Sequence, residues 1–188
     1  LTGEAPTDLP AIDAATLRQA ASQFVTGVTV VTVLGEDGQP LGLTANSFTT
    51  VSLQPPLVLV CLDKRLGSYP AFQVNRAFAV HVLAEDQAAL STRFARRGED
   101  KFLGLRWQHG LEGVPVLPDY LVLWECRLTM AYEGGDHLIA VGQVERITLG
   151  DISRPPLGFF RSKYIQVHRH PAAFVPEDVI ELWGMGWA

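Results

Sequence analysis

Residues 28–34 (VTVVTVL) are apolar and β-branched almost without a break, which reads as a buried strand because such side chains fit a pleated sheet and resist a helix. The turn-forming run Gly35-Glu36-Asp37-Gly38 follows, and apolar text resumes over 41–50, so a hairpin is predicted. Residues 57–63 and 77–83 repeat the buried-strand pattern, with a short helix expected to begin at Ser68 between them. Over 85–97 the period changes to that of an amphipathic helix with Leu90 and Phe94 inward. Two further strands, 121–132 and 137–149, flank Glu133-Gly134-Gly135-Asp136, whose glycines allow the positive φ of a tight turn. A last strand is predicted at 164–168. Near the start, Asp13 can cap a helix carrying Leu17, Ala20, Ala21 and Phe24 on one face and ending near Gly27.

Adjacent strands joined by short turns, with helices as interruptions and not as regular crossovers, predict a mainly β fold with flanking helices. An antiparallel barrel suits this pattern better than a doubly wound sheet. Residues 1–12 read as a mobile arm without the basic and apolar pattern of a leader, 13–170 as the folded domain, and 171–188 as a tail crowded with Phe174, Trp183, Met185 and Trp187.

The whole chain has 188 residues, enough for one domain with a full hydrophobic core. Its formal net charge of -5 argues against broad gripping of nucleic acid or of an anionic membrane. The longest uncharged stretch, 41–62, holds Asn46, Ser47, Ser52 and Pro55-Pro56 and does not read as a spanning helix. Cys61 and Cys126 each lie in a Val/Leu-rich run and read as buried free thiols, which fits a reducing cytoplasm. His168 and His170 can share a strand face, but no third ligand at metal-site spacing accompanies them, so no metal site is expected. Rossmann, Walker and nucleophile-elbow motifs are absent from the text.

Three segments can carry chemistry. Lys64-Arg65-Leu66-Gly67-Ser68-Tyr69-Pro70 follows a buried strand and opens the predicted helix. Ser68 as N-cap beside two cations suits a phosphate, and the same text also suits a capped surface helix with solvated charges. Gly42-Leu43-Thr44-Ala45-Asn46-Ser47-Phe48 sets short hydrogen-bonding side chains into an apolar strand. Such a surface can meet the polar edge of a planar heterocycle, or simply end in an Asx turn. His137, beside Asp136 at the glycine turn, can touch a substrate at the barrel's end or bond its neighbour.

Taken in order, residues 24–31 (FVTGVTVV), 42–52 (GLTANSFTTVS), 55–62 (PPLVLVCL), 68–72 (SYPAF), 77–83 (AFAVHVL), 93–102 (RFARRGEDKF) and 134–138 (GGDHL) resemble the flavin reductase family. These are the short-chain reductase components of two-component flavin monooxygenases. The resemblance covers roughly residues 14–164 and implies an FMN-binding split barrel of Greek-key type. It implies a homodimer with FMN, or FAD, at the subunit interface, NADH or NADPH as donor, and a flavin-dependent monooxygenase receiving the reduced flavin.

Position by position, the resemblance gives Thr26, Gly27, Val28, Thr29, Thr44, Ala45, Asn46 and Ser47 to the flavin ring and ribityl chain. Ser52, Cys61 and Leu62 line the same site. Lys64 and Ser68 would bind the phosphate with Lys101 near it, while His137 and Tyr164 would approach the nicotinamide. His137 is cast as an orienter of the donor, with proton transfer ranked below. Gly67 stands where many relatives carry a hydroxyl. A non-catalytic or electron-carrying flavoprotein on the same barrel is the alternative, and a pyridoxamine-phosphate-oxidase-like or haem-binding barrel fits the Thr-Ala-Asn-Ser text less well. The tail has no counterpart in the family, and its aromatic residues are expected to dock across a dimer near the site's mouth.

Overall fold

The computed structural model describes residues 11–73, 76–98 and 100–168; the arm 1–10, His170 and the tail 171–188, with its expected docking, lie outside them. Asp13 caps α1 (Ala14–Ala21), its carboxylate accepting the Thr16 N–H at 2.7 Å. That bond holds the Asp13 pKa below the usual carboxylate range. The helix stops at Ser22, earlier than the sequence suggests, and none of its side chains is buried against the described residues; Leu17 is 61% exposed, and Phe24 beyond the helix 76%.

The strands follow as β1 (Thr26–Gly27), β2 (Thr29–Leu34), β3 (Pro40–Ala45), β4 (Thr49–Leu53), β5 (Pro56–Asp63) and β6 (Ala77–Val82). After α2 (Ala88–Ala95) come β7 (Gln108–His109), β8 (Pro115–Val116), β9 (Val122–Gly134), β10 (His137–Leu149), β11 (Leu157–Phe160) and β12 (Lys163–Gln166). Two expectations change here. The run 41–50 splits into β3 and β4 at Asn46, and the helix expected from Ser68 is a three-residue 3-10 turn, Tyr69–Ala71. Ala71 and Phe72 are drawn into the core, and the backbone leaves helical geometry at Phe72, which ends the turn.

Seven strands form one antiparallel sheet in the order β3-β2-β6-β9-β10-β5-β4. Its two edge strands are consecutive in the chain, linked only by residues 46–48. Such a link reaches at most ~14 Å, whereas the edges of a flat seven-stranded sheet lie ~29 Å apart. The sheet therefore rolls up until its edges meet, which gives the antiparallel barrel that the strand pattern predicts. Ser47 fixes the seam: its hydroxyl accepts the Cys61 N–H at 3.0 Å and lies 3.2 Å from the Cys61 carbonyl. A second sheet, β1-β11-β12, lies beside the barrel.

Burial follows from this geometry. Along β5 only alternate residues, Val58, Val60 and Leu62, face the interior, where they meet Val31, Val33, Phe78 and Leu128. β2 is buried on both faces, because Val30 on its outer side meets Phe94 of α2, Phe102 and Leu157. Each such side chain contributes about 1.5 to 3 kcal/mol on leaving water.

Gly42 is the contact that seats α2 on the barrel. A Cβ there would stand 2.6 and 2.9 Å from two ring carbons of Phe94, a wholly buried side chain packed edge-on to Phe102 at 5.2 Å. Gly42→Ala is therefore expected to destabilise by about 1 to 3 kcal/mol through overpacking. Urea unfolding at neutral pH checks this, and a midpoint equal to the parent's would show that the ring gives way freely.

Candidate functional site

Thr44 of β3 and Asn46 just beyond its end face α2 and β12, and together with Val28, Ser91, Ala95, Phe159 and Tyr164 they line a hollow of about 170 Å³. Its polar groups are tied to one another. The Thr44 hydroxyl donates to the Ser91 carbonyl at 2.6 Å, and the Tyr164 hydroxyl donates to the Ser91 hydroxyl at 2.8 Å. Thr29 donates to the Ala45 carbonyl at 2.7 Å, locking β2 to β3. β1 runs alongside, pairing Thr26 with Phe159 and Gly27 with Gly158. Thr26 Oγ1 is buried without a hydrogen-bond partner, and Gly27 opens on free space. An orphaned hydroxyl beside a polar strand fits a ligand edge that supplies the missing bond.

A larger cleft, about 720 Å³, opens at the other end of β3. One wall is Arg65, Leu66, Gly67 and Ser68; the facing wall includes Arg96, Arg97 and Lys101, with Trp107. Ser68 is nearly buried but does not cap, since its backbone is already helical and its side chain makes no capping bond. Lys101 is the cation of the interior. Its ammonium donates to the carbonyls of Gly42 at 3.0 Å and Phe94 at 2.8 Å, and among the described residues no carboxylate pairs with it. Burial lowers its pKa below the ordinary 10.5. The loop that carries it is clamped by Arg93, whose guanidinium donates to the carbonyls of Lys101 at 2.7 Å and of Leu103.

The mouth of the cleft is bridged by Asp63. Arg65 grips its carboxylate from Nε and the terminal nitrogen, and Arg97 reaches it from the opposite wall at 3.5 Å. The hydrogen bonds from Arg65 hold the Asp63 pKa far below the carboxylate range.

Lys64 does not line this cleft. Its ammonium turns to the β9–β10 hairpin, where it donates to Glu133 and to the Gly135 carbonyl at 2.7 Å, and the Glu133 contact raises its pKa. His137 stands on the same hairpin, paired in the ladder with Asp63, its Nδ1 2.7 Å from the Asp136 carboxylate. His137 thus stands on the β9–β10 hairpin, whereas Tyr164 stands on β12 at the hollow.

The structure brings Val28, Thr44, Asn46 and Tyr164 to one hollow, with Thr26, Gly27, Thr29 and Ala45 on adjoining strand positions, and brings Ser68 and Lys101 to one cleft. Cys61 is half-buried at the seam, while Leu62 is sealed inside the barrel and can offer a ligand no side chain. Ser52 serves the β4–β5 turn, accepting the Gln54 N–H at 3.2 Å. Ser91, Arg96, Arg97 and Trp107 are additions from the structure. The doubled arginine after an amphipathic helix was the available signal for two of them. Among the described residues no cluster of His, Cys, Asp or Glu could hold a metal, and no helix is long and apolar enough to cross a membrane.

Comparison with known proteins gives the same constellation a family context. The flavin reductase like domain matches residues 21–168. The chain is 50% identical over 129 residues to the FMN reductase (NADH) SmoA of Agrobacterium fabrum, covering 69% of this chain and 73% of that one. To the reductase subunit HsaB of a flavin-dependent monooxygenase from Rhodococcus jostii it is 39% identical over 164 residues, covering 87% and 83%. Among solved structures, the NADH:FAD oxidoreductase SgcE6 of Streptomyces globisporus, in complex with NAD and FAD fragments, superposes with a TM-score of 0.76 at 38% identity, covering 86% and 96%. The chain spans about half, 48%, of the length of a further relative from Rhizobium meliloti that is 42% identical over 152 residues.

Proposed function

This chain belongs to the flavin reductase like family, and we propose that it is an NAD(P)H:flavin oxidoreductase acting on FMN or FAD. When bound, the two ligands would supply the chemistry, hydride transfer from nicotinamide to flavin. The protein's part would be to hold and orient the two ligands for that transfer. In this reading the strand positions Thr26 to Thr29 and Thr44 to Ser47 hold the ring and ribityl chain, with Thr26 Oγ1 gaining the partner it lacks. Ser68 and Lys101 take the phosphate, and Lys64 steadies the hairpin that carries His137. His137 and Tyr164 orient the nicotinamide.

The observation that carries the proposal is Lys101, a half-buried ammonium held by two carbonyls and lacking an acidic partner among the described residues. A buried charge is stable when an anion completes it. The family's homodimer belongs to the same proposal and is supported by exposed apolar side chains, Leu17 on α1, Phe24 just after it, and Val51 and Leu53 on β4. A monooxygenase would receive the reduced flavin, as the name of the Rhodococcus jostii relative suggests, and two free thiols favour a reducing cytoplasm.

Incubation with NADH or NADPH, with and without added FMN, tests the activity directly. Loss of nicotinamide absorbance that depends on flavin is expected. Flavin binding with no consumption of either donor would favour an electron carrier, and a protein that neither shifts the flavin spectrum nor oxidises a donor would overturn both. His137→Ala is expected to raise KM for the donor about three- to tenfold while FMN affinity changes by less than about twofold. Collapse of flavin binding with unchanged donor kinetics would assign the histidine elsewhere.

A further inference from the structure

Tyr164 stands on β12, a four-residue strand at the edge of its sheet, and is 38% exposed, so neither burial nor a second neighbouring strand fixes where its phenol points. One side of the ring meets Phe159, at 5.8 Å between centroids. The hydroxyl itself is held by α2, where it donates to Ser91 Oγ at 2.8 Å. The Thr92 hydroxyl also lies 3.3 Å from the phenol, but its own hydrogen goes to the Ala88 carbonyl at 2.9 Å, so Thr92 offers the phenol only a second, longer acceptor. Ser91 is wholly buried and holds β3 as well, since its carbonyl accepts the Thr44 hydroxyl at 2.6 Å. One residue of α2 thus ties the strand of Thr44 to the strand of Tyr164, through its backbone on one side and its side chain on the other. The helix gains nothing from serine here, because alanine has the higher helix propensity and brings no polar group into the interior. The partner that accounts for the hydroxyl is Tyr164.

Building on the flavin reductase reading, we propose that Ser91 is a positioning residue: by taking the phenol's hydrogen it makes Tyr164 a hydrogen-bond acceptor for the carboxamide N–H groups of the nicotinamide. A phenol carries one hydrogen. With that hydrogen committed to Ser91, the lone pairs of the oxygen are what Tyr164 offers to a ligand, and an acceptor selects an amide nitrogen over a carbonyl oxygen. The hollow that Tyr164 lines with Thr44, Asn46 and Ser91 is about 170 Å³, below the roughly 300 to 1,000 Å³ that encloses a whole small ligand. It therefore suits one substituent of a ligand whose ring lies outside it. The carboxamide is such a substituent, and on nicotinamide it sits beside the carbon that gives up the hydride. Holding it fixes the rotation of the ring, on which alignment for the transfer depends. Replacing the Ser91 side chain leaves in place the carbonyl that holds Thr44, so the strand assigned to the flavin keeps its own bond.

Steady-state kinetics of the full chain, of Ser91→Ala, of Tyr164→Phe and of the double variant test the proposal. Two donors are compared, NADH and its reduced acetylpyridine analogue, in which a methyl group replaces the amide nitrogen, and fluorescence titration follows FMN binding alongside. Each single variant should lower kcat/KM for NADH about three- to tenfold, and the double variant should lose no more than Tyr164→Phe alone. FMN affinity should stay within about twofold throughout. The analogue has no N–H to give the phenol, so its kcat/KM should change by less than about twofold in the same variants. A hydroxyl needed only for the fold would slow both donors alike or spoil FMN binding. Tyr164→Phe alters a partly exposed residue and keeps the test alive if alanine at the buried position 91 disturbs the fold. Equal losses with the two donors, additive losses in the double variant, or an unchanged NADH rate in both single variants overturns the proposal, while flavin-dependent NADH oxidation by the wild type keeps the reductase reading. A wild-type protein that oxidises neither donor in the presence of flavin sinks that reading and the proposal with it.

Discussion

Lys101→Met is expected to weaken FMN binding about ten- to a hundredfold and to leave riboflavin, which has no phosphate, within about twofold. A charge-assisted bond contributes about 1.5 to 3 kcal/mol, and each ~1.4 kcal/mol is a decade of affinity. Methionine preserves the stem that packs near Phe94 and removes only the ammonium, so the comparison isolates charge. The wild-type protein should show a matching pH dependence. Burial depresses the Lys101 pKa, so the free protein loses this charge at a pH below 10.5, and FMN affinity relative to riboflavin should fall as pH rises through that point. A bound phosphate favours the charged amine, so binding on the alkaline side should take up a proton, and the methionine variant should show neither effect. Fluorescence titration of both flavins from pH 7 upward checks each part. Lys64→Met, removing an amine committed to Glu133 and Gly135, should lose less than Lys101→Met. Equal losses for FMN and riboflavin, or the reverse order of the two lysines, would remove the phosphate from Lys101.

The elements that local pattern predicts are those whose burial is decided within a few residues. The β-branched run of β2, buried on both faces, and the long β9–β10 hairpin with Gly135 at φ 69 each carry their own signal. β11 does not. Leu157–Phe160 follows Pro155-Pro156 and is assigned no element by the sequence pattern; it forms a strand that pairs Phe159 and Gly158 with Thr26 and Gly27 from far back in the chain. α1 shows the converse failure. Its apolar periodicity was legible, but among the described residues nothing covers Leu17 or Phe24, so the buried face that the pattern forecast is not formed by them.

Site residues were legible where side-chain chemistry and strand position coincide. Thr44 on β3 and Asn46, two residues on and just past the strand's end, both reach the hollow. The phosphate assignment was less complete because adjacency in sequence is a poor guide past the end of a strand. Lys64 and Ser68 lie four residues apart, yet the turn at 64–68 sends one to the β9–β10 hairpin and the other into the cleft. Arg97 enters the cleft through a salt bridge to Asp63, a contact between loops that no local pattern encodes. Glycine at 42 reads as part of a ligand-facing motif, but its immediate role is to admit the Phe94 ring.

The steepest acid dependence of stability should come from a residue outside the site. His81 is wholly buried on β6, where the Leu117 N–H donates to its Nε2 at 3.0 Å and its Nδ1 lies 3.1 Å from the Val30 carbonyl. These partners fix the neutral tautomer with the proton on Nδ1. Adding a second proton would set N–H against N–H at Leu117 and place a charge in an apolar core, and burial accordingly lowers the pKa from 6.5 to about 4. Because the unfolded chain binds this proton first, the stabilisation is complete above pH 6.5 and is lost progressively as pH falls towards 4. Linkage sets the full loss at about 3 kcal/mol, from ~1.4 kcal/mol per pH unit across the window. His81→Gln keeps an acceptor in reach of Leu117 but cannot titrate. It should be less stable than the parent at pH 7.5, and that deficit should shrink by about 2 kcal/mol by pH 5. Urea unfolding at half-unit intervals reads the two curves. Parallel acid limbs would show that the imidazole is charged in the folded protein, contrary to the bond it accepts from Leu117.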